Sequence, residues 1–287
     1  MSSFNSFKNT LRLLRREMRR WQAARRWGDA LSRAPILFGN SFPKSGTHLL
    51  TQILEGCTAI GPAVVSGLPA VVTFNGFTGR ARTTPEILTD LQRFKPGDVG
   101  YGHLHARPQI VEALCASAFA AFFILRDPRD VVVSHVHYVT EMEPRHAHHA
   151  YYQNLPDFDA RLMTSITGIP DEAVLFPPVG ERFAPFVGFL QREEILTLRY
   201  EDFLTERRAT LEKIVAHLRY RNFPIAVDDQ RALDALEAAI NPQKSPTFRS
   251  GKAGGWRDKF TPEHTRVFKE LAADVLIALG YEKDDNW

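Results

Sequence analysis

The chain is poor in cysteine: 287 residues carry two, Cys57 and Cys115. Both stand among small or apolar neighbours, which suits buried thiols in a reducing compartment and not a disulfide framework. No run approaches the ~18 apolar residues of a membrane-crossing helix. Residues 1–9 lead into no hydrophobic signal core, so a cytoplasmic location is expected. A large surplus of one charge sign is missing too. The net charge of +3 is far from the basic stripe that a nucleic acid polymer needs, and one local anion site accounts for it. Absent as well is the glycine-rich nucleotide loop GxxxxGK[ST]. That pattern sets the lysine after the last glycine, whereas Lys44 precedes Gly46 here.

What is present is the composition of an ordinary globule, 44% hydrophobic and 24% charged, long enough for one large α/β domain or two small ones. The organising stretch is 35–55. Ile36, Leu37 and Phe38 read as a short buried strand, and Leu49, Leu50, Ile53 and Leu54 as the apolar face of a helix. Between them lies Pro43-Lys44-Ser45-Gly46-Thr47-His48. A strand turning through small residues into a helix aims free backbone N–H groups at one point, and Lys44, Ser45 and Thr47 add a cation and two hydroxyls. Such a loop suits a phosphate; an ordinary capped turn is the other reading of these four residues alone.

Similar strand–helix units follow. Residues 98–107 read as a strand ending at His103 and His105, with a helix over 109–118. Residues 120–125 are apolar on both faces, as in a parallel sheet, and run into Arg126-Asp127-Pro128-Arg129-Asp130 before a helix over 131–142. A strand over 195–199, helices over 204–218 and 228–240, and a last helix from Pro262 to about residue 279, capped by Thr261, complete the pattern. Residues 58–91 have weak propensities, with a short helix at 84–91. Residues 143–190 are expected to form an irregular cap over the acceptor side of a site. His137, His146, His148 and His149 lie in or near that stretch. No cysteine or close acidic partner completes a first shell, so no metal is expected.

Residues 1–33 form a basic helical arm, distinct from a domain over 34–287. Phe4, Phe7, Leu11, Leu14, Met18 and Trp21 recur at spacings of three and four, one stripe of a helix. Arg12, Arg15, Arg16, Arg19, Arg20, Arg25 and Arg26 occupy its other faces. Two readings stay open. In the favoured one the stripe packs on the domain or on a partner subunit while the arginines face water. In the other, residues 1–30 make peripheral contact with an anionic membrane.

Four separated segments now carry matched chemistry: Lys44–Thr47, His103 in GHL, RDPRDVVVS with Arg126 and Ser134, and FRSGKAGGW from Phe248 to Trp256. In this order they resemble the PAPS-dependent sulfotransferases, of the cytosolic type and its bacterial relatives (PAPS is 3′-phosphoadenosine 5′-phosphosulfate; PAP is its product). The resemblance spans residues 36–261. It implies a single α/β domain, a central parallel sheet flanked by helices in a P-loop-like sulfotransferase fold. It also implies sulfuryl transfer from PAPS to a hydroxyl by direct in-line displacement.

Carried over residue by residue, Lys44 would neutralise the leaving group, and Ser45, Gly46, Thr47 and His48 would hold the 5′-phosphate. His103 resembles the base that takes the acceptor's proton. Arg126 and Ser134 would hold the 3′-phosphate. Tyr200, Phe248, Arg249, Ser250, Gly251 and Trp256 would surround the nucleotide. Phe74, Phe77, Tyr138, Tyr151, Tyr152 and the aromatic segment 176–189 would line an acceptor pocket. That lining favours a small apolar or aromatic alcohol, a phenol or a lipid-like hydroxyl.

The chain also departs from the pattern. Tyr101 and Ser250 stand where many members carry basic residues, with Lys252 near enough to replace the second. The aligned dimer stretch over 257–266 keeps a threonine at 261 but loses its valine and glutamate, so the oligomeric state is left open. Two alternatives follow: a non-catalytic PAP- or PAPS-binding scaffold of the same fold, and a P-loop kinase with Mg²⁺ held by a carboxylate after residues 120–125.

Overall fold

The computed structural model describes residues 2–75, 78–170, 176–245 and 251–287, with the backbone alone over 2–11. The strands are β1 (Ile36–Ser41), β2 (Val64–Val65), β3 (Val71–Val72), β4 (Asp98–His103), β5 (Phe119–Leu125) and β6 (Ile195–Arg199). They form one sheet in the order β2-β4-β1-β5-β6, with β3 also on β4. Every pairing is parallel. The register runs Ile36↔Phe119 to Ser41↔Ile124 on one side of β1 and Asn40↔Gly102 on the other.

Why these runs are strands follows from where their side chains go. Alternate residues of a strand face opposite ways. Ile36 and Phe38 of β1, with Phe119, Ala121, Phe123 and Leu125 of β5, enter one core; Leu37, Ala120, Phe122 and Ile124 enter the other. Both faces are dry, so the strands carry no polar alternation, as parallel sheets require.

The helices are α1 (Ser2–Trp27), α2 (Asp29–Arg33), α3 (Thr47–Ile60), α4 (Thr84–Leu91), α5 (Pro108–Cys115), α6 (Pro128–His137), α7 (His149–Gln153), α8 (Phe158–Thr167), α9 (Val179–Phe183), α10 (Asp202–Thr205), α11 (Arg207–Tyr220), α12 (Asp229–Ala239) and α13 (Pro262–Ala278). Leucines and isoleucines of α3, α11 and α12 cover one face of the sheet; α4, α5, α6, α8, α9 and α13 cover the other. Thr261 caps α13 as expected, its hydroxyl taking the His264 N–H while His264 Nδ1 takes the Thr261 N–H.

Three local expectations change. The helix after β5 begins at Pro128, because the Asp127 carboxylate already accepts the Arg129 N–H, and it ends at His137. Residues Tyr138–Met142 continue as one π turn, a form that concentrates at functional sites. The stretch over 143–190 contributes Tyr152, Leu162, Ile166, Phe176, Phe183, Phe186 and Phe189 to the main core, so it is a packed layer of the domain.

The N-terminal helix does not pack its apolar stripe on its own domain, as one form of the favoured reading has it. Leu14, Met18 and Trp21 are 58%, 63% and 60% exposed, whereas Arg16 is 5% exposed. The cause is Asp98, a fully buried carboxylate at the start of β4. It is paired with the Arg16 guanidinium and with Arg20 at 2.8 Å, and it accepts the Lys95 N–H at 2.9 Å. Arg16 also donates to the Arg93 carbonyl and Arg20 to the Pro96 carbonyl. A buried charge without a partner is costly, so the arginine face docks and the apolar stripe is left in water.

Candidate active site

Parallel strands bring all their carboxyl ends to one edge of the sheet, and the turns leaving β1, β4, β5 and β6 meet there. A cleft of about 500 Å³ opens at that edge. Lys44, Gly46, Thr47 and His48 line it from the turn after β1, Tyr101 and His103 from β4, and Arg126 from the turn after β5. Ser134 and Tyr138 come from α6 and its π turn, Tyr200 from the turn after β6, and Gly251 from the C-terminal loop.

The loop after β1 is a strained turn. Lys44 has φ of 71° and Gly46 of 102°, both left-handed. A side chain on Gly46 would sit 2.8 Å from Tyr200 Cδ2 and 3.1 Å from Ile124 Cδ1, so only glycine fits this path. For Lys44 the conformation costs about 1–2 kcal/mol, a cost the surrounding packing sustains. The turn delivers the chain into α3 with Gly46 as N-cap, so the leading N–H groups of the helix face the cleft edge without intrahelical acceptors. Ser45 is fully buried and its Oγ has no hydrogen-bond partner. Lys44 Nζ lies 4.0 Å above the Tyr138 ring.

His103 is tied to the same loop. Its Nδ1 lies 2.9 Å from the Ser41 carbonyl and 3.2 Å from Ser41 Oγ, which lies 2.7 Å from Thr47 Oγ1. The carbonyl can only accept, so Nδ1 carries the proton and Nε2 keeps its lone pair. Burial pushes the His103 pKa below the usual imidazole value, against the pull of the Ser41 carbonyl and with the help of His48. His48 is pushed down as well, by burial and then by Lys44. His105 is a packing residue: its ring lies between Phe74 at 5.4 Å and Phe186 at 5.0 Å, and burial with Arg107 nearby pushes its pKa down to about 4.

Arg126 lies at the far wall, its guanidinium 4.8 Å over the Tyr200 ring, donating to the Lys252 carbonyl at 2.9 Å. Its Nε is buried without a partner. Asp130 organises this wall. Its carboxylate accepts Gly254 N–H at 2.7 Å and Trp256 N–H at 2.9 Å and lies 3.5 Å from Arg126. Lys252 therefore serves Arg126 through its carbonyl, while its side chain is exposed. Trp256 does not reach the cleft lining. It is buried under α6, 4.2 Å from the Arg129 guanidinium and edge-on to Trp287 at 5.6 Å. Arg129 is itself held by Asp127 and Glu282.

Of the acceptor residues, Tyr138 lines the cleft and Phe74 is half-exposed beside His105. Tyr151 packs on the core, and Tyr152 is fully buried with its hydroxyl 3.4 Å from His135, so neither lines the cleft. Phe77, Phe248, Arg249 and Ser250 lie outside the described residues. Sequence reasoning missed Ser41, the link between His103 and Thr47, and Asp130. The signal for Ser41 was a hydroxyl at the last residue of a buried strand.

The family model of the sulfotransferase domain matches residues 37–280. The chain belongs to the sulfotransferase family. It is similar to 3-alpha-hydroxysteroid sulfotransferase of Cavia porcellus, 21% identical over 263 residues, 84% of this chain and 83% of that one. The sulfotransferase fold is shared with the mouse sulfotransferase SULT7A1 complexed with PAP. That structure has a TM-score of 0.57 and 22% identity, over 87% of each chain. Retinol dehydratase in complex with androsterone and the inactive cofactor PAP is alike at a TM-score of 0.56 and 18% identity, over 86% of this chain and 84% of that one.

Proposed function

We propose that this sulfotransferase moves a sulfuryl group from PAPS to the hydroxyl of a small, apolar or aromatic acceptor. The observation that carries the reading is the hydrogen-bonded link from His103 through Ser41 to Thr47, which joins a candidate base to a candidate phosphate loop. The residues suit an anionic nucleotide: an unpartnered buried Ser45 hydroxyl, an unpartnered buried Arg126 Nε and a glycine turn opening a helix. When bound, PAPS supplies an activated sulfuryl group on a phosphate leaving group.

Ser45, Gly46, Thr47 and His48 bind the 5′-phosphate end with α3's leading N–H groups. Arg126, just ahead of α6, and Ser134, on its second turn, both line the cleft and bind the 3′-phosphate, with Tyr200 and Gly251 beside them. Arg249, Ser250, Phe248 and Trp256 belong to the segment assigned to the nucleotide. Lys44 places a fixed cation where charge develops on the leaving oxygen. His103 Nε2 accepts the acceptor's hydroxyl proton, and the Nδ1–H on Ser41 holds the ring in that tautomer. Phe74, Phe77 and Tyr138 are assigned to the acceptor side. The kinase alternative needs a free carboxylate after β5. Asp127 instead caps α6 and takes three contacts from the Arg129 side chain.

Incubation with labelled PAPS and a panel of steroid, phenol and long-chain alcohols should yield a sulfated product and PAP. PAP binding without transfer to any acceptor would favour the scaffold reading, and neither binding nor transfer would overturn the assignment of the cleft.

We also infer that α1 lies on an anionic lipid surface. Leu14, Met18 and Trp21 form an exposed apolar stripe, and exposed Arg15, Arg25 and Arg26 flank it. Each arginine near such a surface adds about 1 kcal/mol. The chain should sediment with phosphatidylserine vesicles at low salt, and a Met18→Ser, Trp21→Ser double variant should not. Equal binding to neutral vesicles, or a stable dimer lost in the double variant, would refute it.

A further inference from the structure

Behind Tyr138, away from the cleft lining, three imidazoles converge. His135 of α6 and His146 and His148 of the connection to α7 place their nearest ring nitrogens within 4.8 Å of one another. The ring centroids of the pairs are 4.8–6.0 Å apart. His135 and His148 are buried and His146 is half-buried. We propose that this triad binds a borderline transition-metal ion such as Zn²⁺ and thereby ties the connection over 143–148 to α6.

The cluster is built for this at His135. Ser165 Oγ donates its proton to the Val132 carbonyl at 3.1 Å, so at 3.2 Å from His135 Nδ1 it can only accept. With the proton on Nδ1, where the Ser165 hydroxyl at 3.2 Å and the Tyr152 hydroxyl at 3.4 Å can both accept, Nε2 of His135 presents a lone pair. Metal-bound histidines almost always donate their second N–H to an acceptor, a role the Ser165 hydroxyl can fill here. His146 accepts the His148 N–H at Nδ1 through a long contact of 3.2 Å; binding at Nε2 shifts the tautomer and gives that contact up. Tetrahedral zinc with bonds of ~2.0–2.1 Å brings its nitrogens to about 3.4 Å of each other. The triad must therefore close by roughly 1.4 Å. His146, on a half-exposed turn, can supply that movement by changing rotamer.

Three imidazoles without a carboxylate select zinc, copper or nickel over magnesium or calcium. The buried Arg182, whose guanidinium donates to the Ser165 carbonyl, and Lys44 are the nearby cations that oppose the site, and they favour water or an anion as fourth ligand. His137 and His149 take no part, since their ring nitrogens do not converge with those of the other three. The ion would bear on the cleft through His146, whose ring meets Tyr138 edge-on at 5.7 Å.

The test is titration of the full chain, stripped with chelator, with Zn²⁺ by calorimetry and with Co²⁺ by visible absorption. One ion per chain with tetrahedral cobalt bands is expected. Affinity should fall at least tenfold in His146→Ala and in His148→Ala, and tenfold or more in Ser165→Ala, with circular dichroism unchanged. His137→Ala should bind as the wild type does. Absence of saturable binding, or equal affinity in the His146→Ala, His148→Ala double variant, would overturn the proposal. Because the readout is the metal itself, either result leaves the sulfuryl-transfer reading to its own assay.

Discussion

Asp98→Ala tests why the N-terminal helix lies as it does. The carboxylate is fully buried and holds two guanidinium groups and one backbone N–H. Removing one partner of a buried ion pair costs ~3–5 kcal/mol, because the remaining charge is stranded away from water. Here the stranded group, Arg16, sits on a helix whose apolar stripe already faces solvent, so undocking returns the guanidinium to water while uncovering little apolar surface. The response should therefore be local. The equilibrium for opening α1 should rise by about two to three and a half decades, one decade per ~1.4 kcal/mol, while the core strands keep their stability. Hydrogen exchange of amides 12–27 reads the first quantity and the urea midpoint the second. In Arg16→Ala the buried Asp98 at the start of β4 loses one of its two guanidinium partners, and the urea midpoint should fall instead. Wild-type protection of α1 in Asp98→Ala would show that something other than this carboxylate orients the helix.

Other consequences follow from the cleft and the core. His103→Gln should keep the fold and lower kcat by roughly 10²–10⁴. Since burial holds the His103 pKa below the usual 6.5, the acid limb of kcat/KM should fall below that pH, and a limb centred above 7 would refute the base assignment. Lys44→Ala should reduce kcat by about 10²–10³ with PAP affinity little changed. Arg126→Ala should weaken PAP binding by ~1.5–3 kcal/mol, as for a hydrogen bond to a charged group, with a smaller loss in kcat; equal effects of the two changes on both constants would contradict the division. Buried His217 has its pKa pushed down to about 4 by burial, so the folded state keeps it neutral while the unfolded chain protonates near 6.5. Its contribution is complete above pH 6.5 and lost as pH falls towards 4, at most ~3 kcal/mol by linkage. His217→Gln should flatten that slope in urea titrations at pH 7 and pH 4.5.

The parallel sheet and the phosphate turn were legible in the chain because their causes are local. Apolar runs such as 120–125 need two dry faces, and a strand–turn–helix with Lys44, Ser45, Gly46 and Thr47 carries its donors wherever it sits. Once the strands are parallel, their carboxyl ends must share an edge, so Lys44, His103, Arg126 and Ser134 meet in one cleft. Side-chain pairings across long separations were not legible. The stripe of α1 has an apolar period that fits burial equally well on the domain or elsewhere. Only Asp98, 82 residues from Arg16, decides that Arg16 and Arg20 turn inward. Trp256 and Tyr152 read as binding aromatics, yet large rings gain most where they are most buried, and the tertiary fold had room for both in its interior. His135 carried no signal beside His137. Its neighbours His146 and His148 come from a different turn, and what brings them together is the packing of the 143–190 layer against α6.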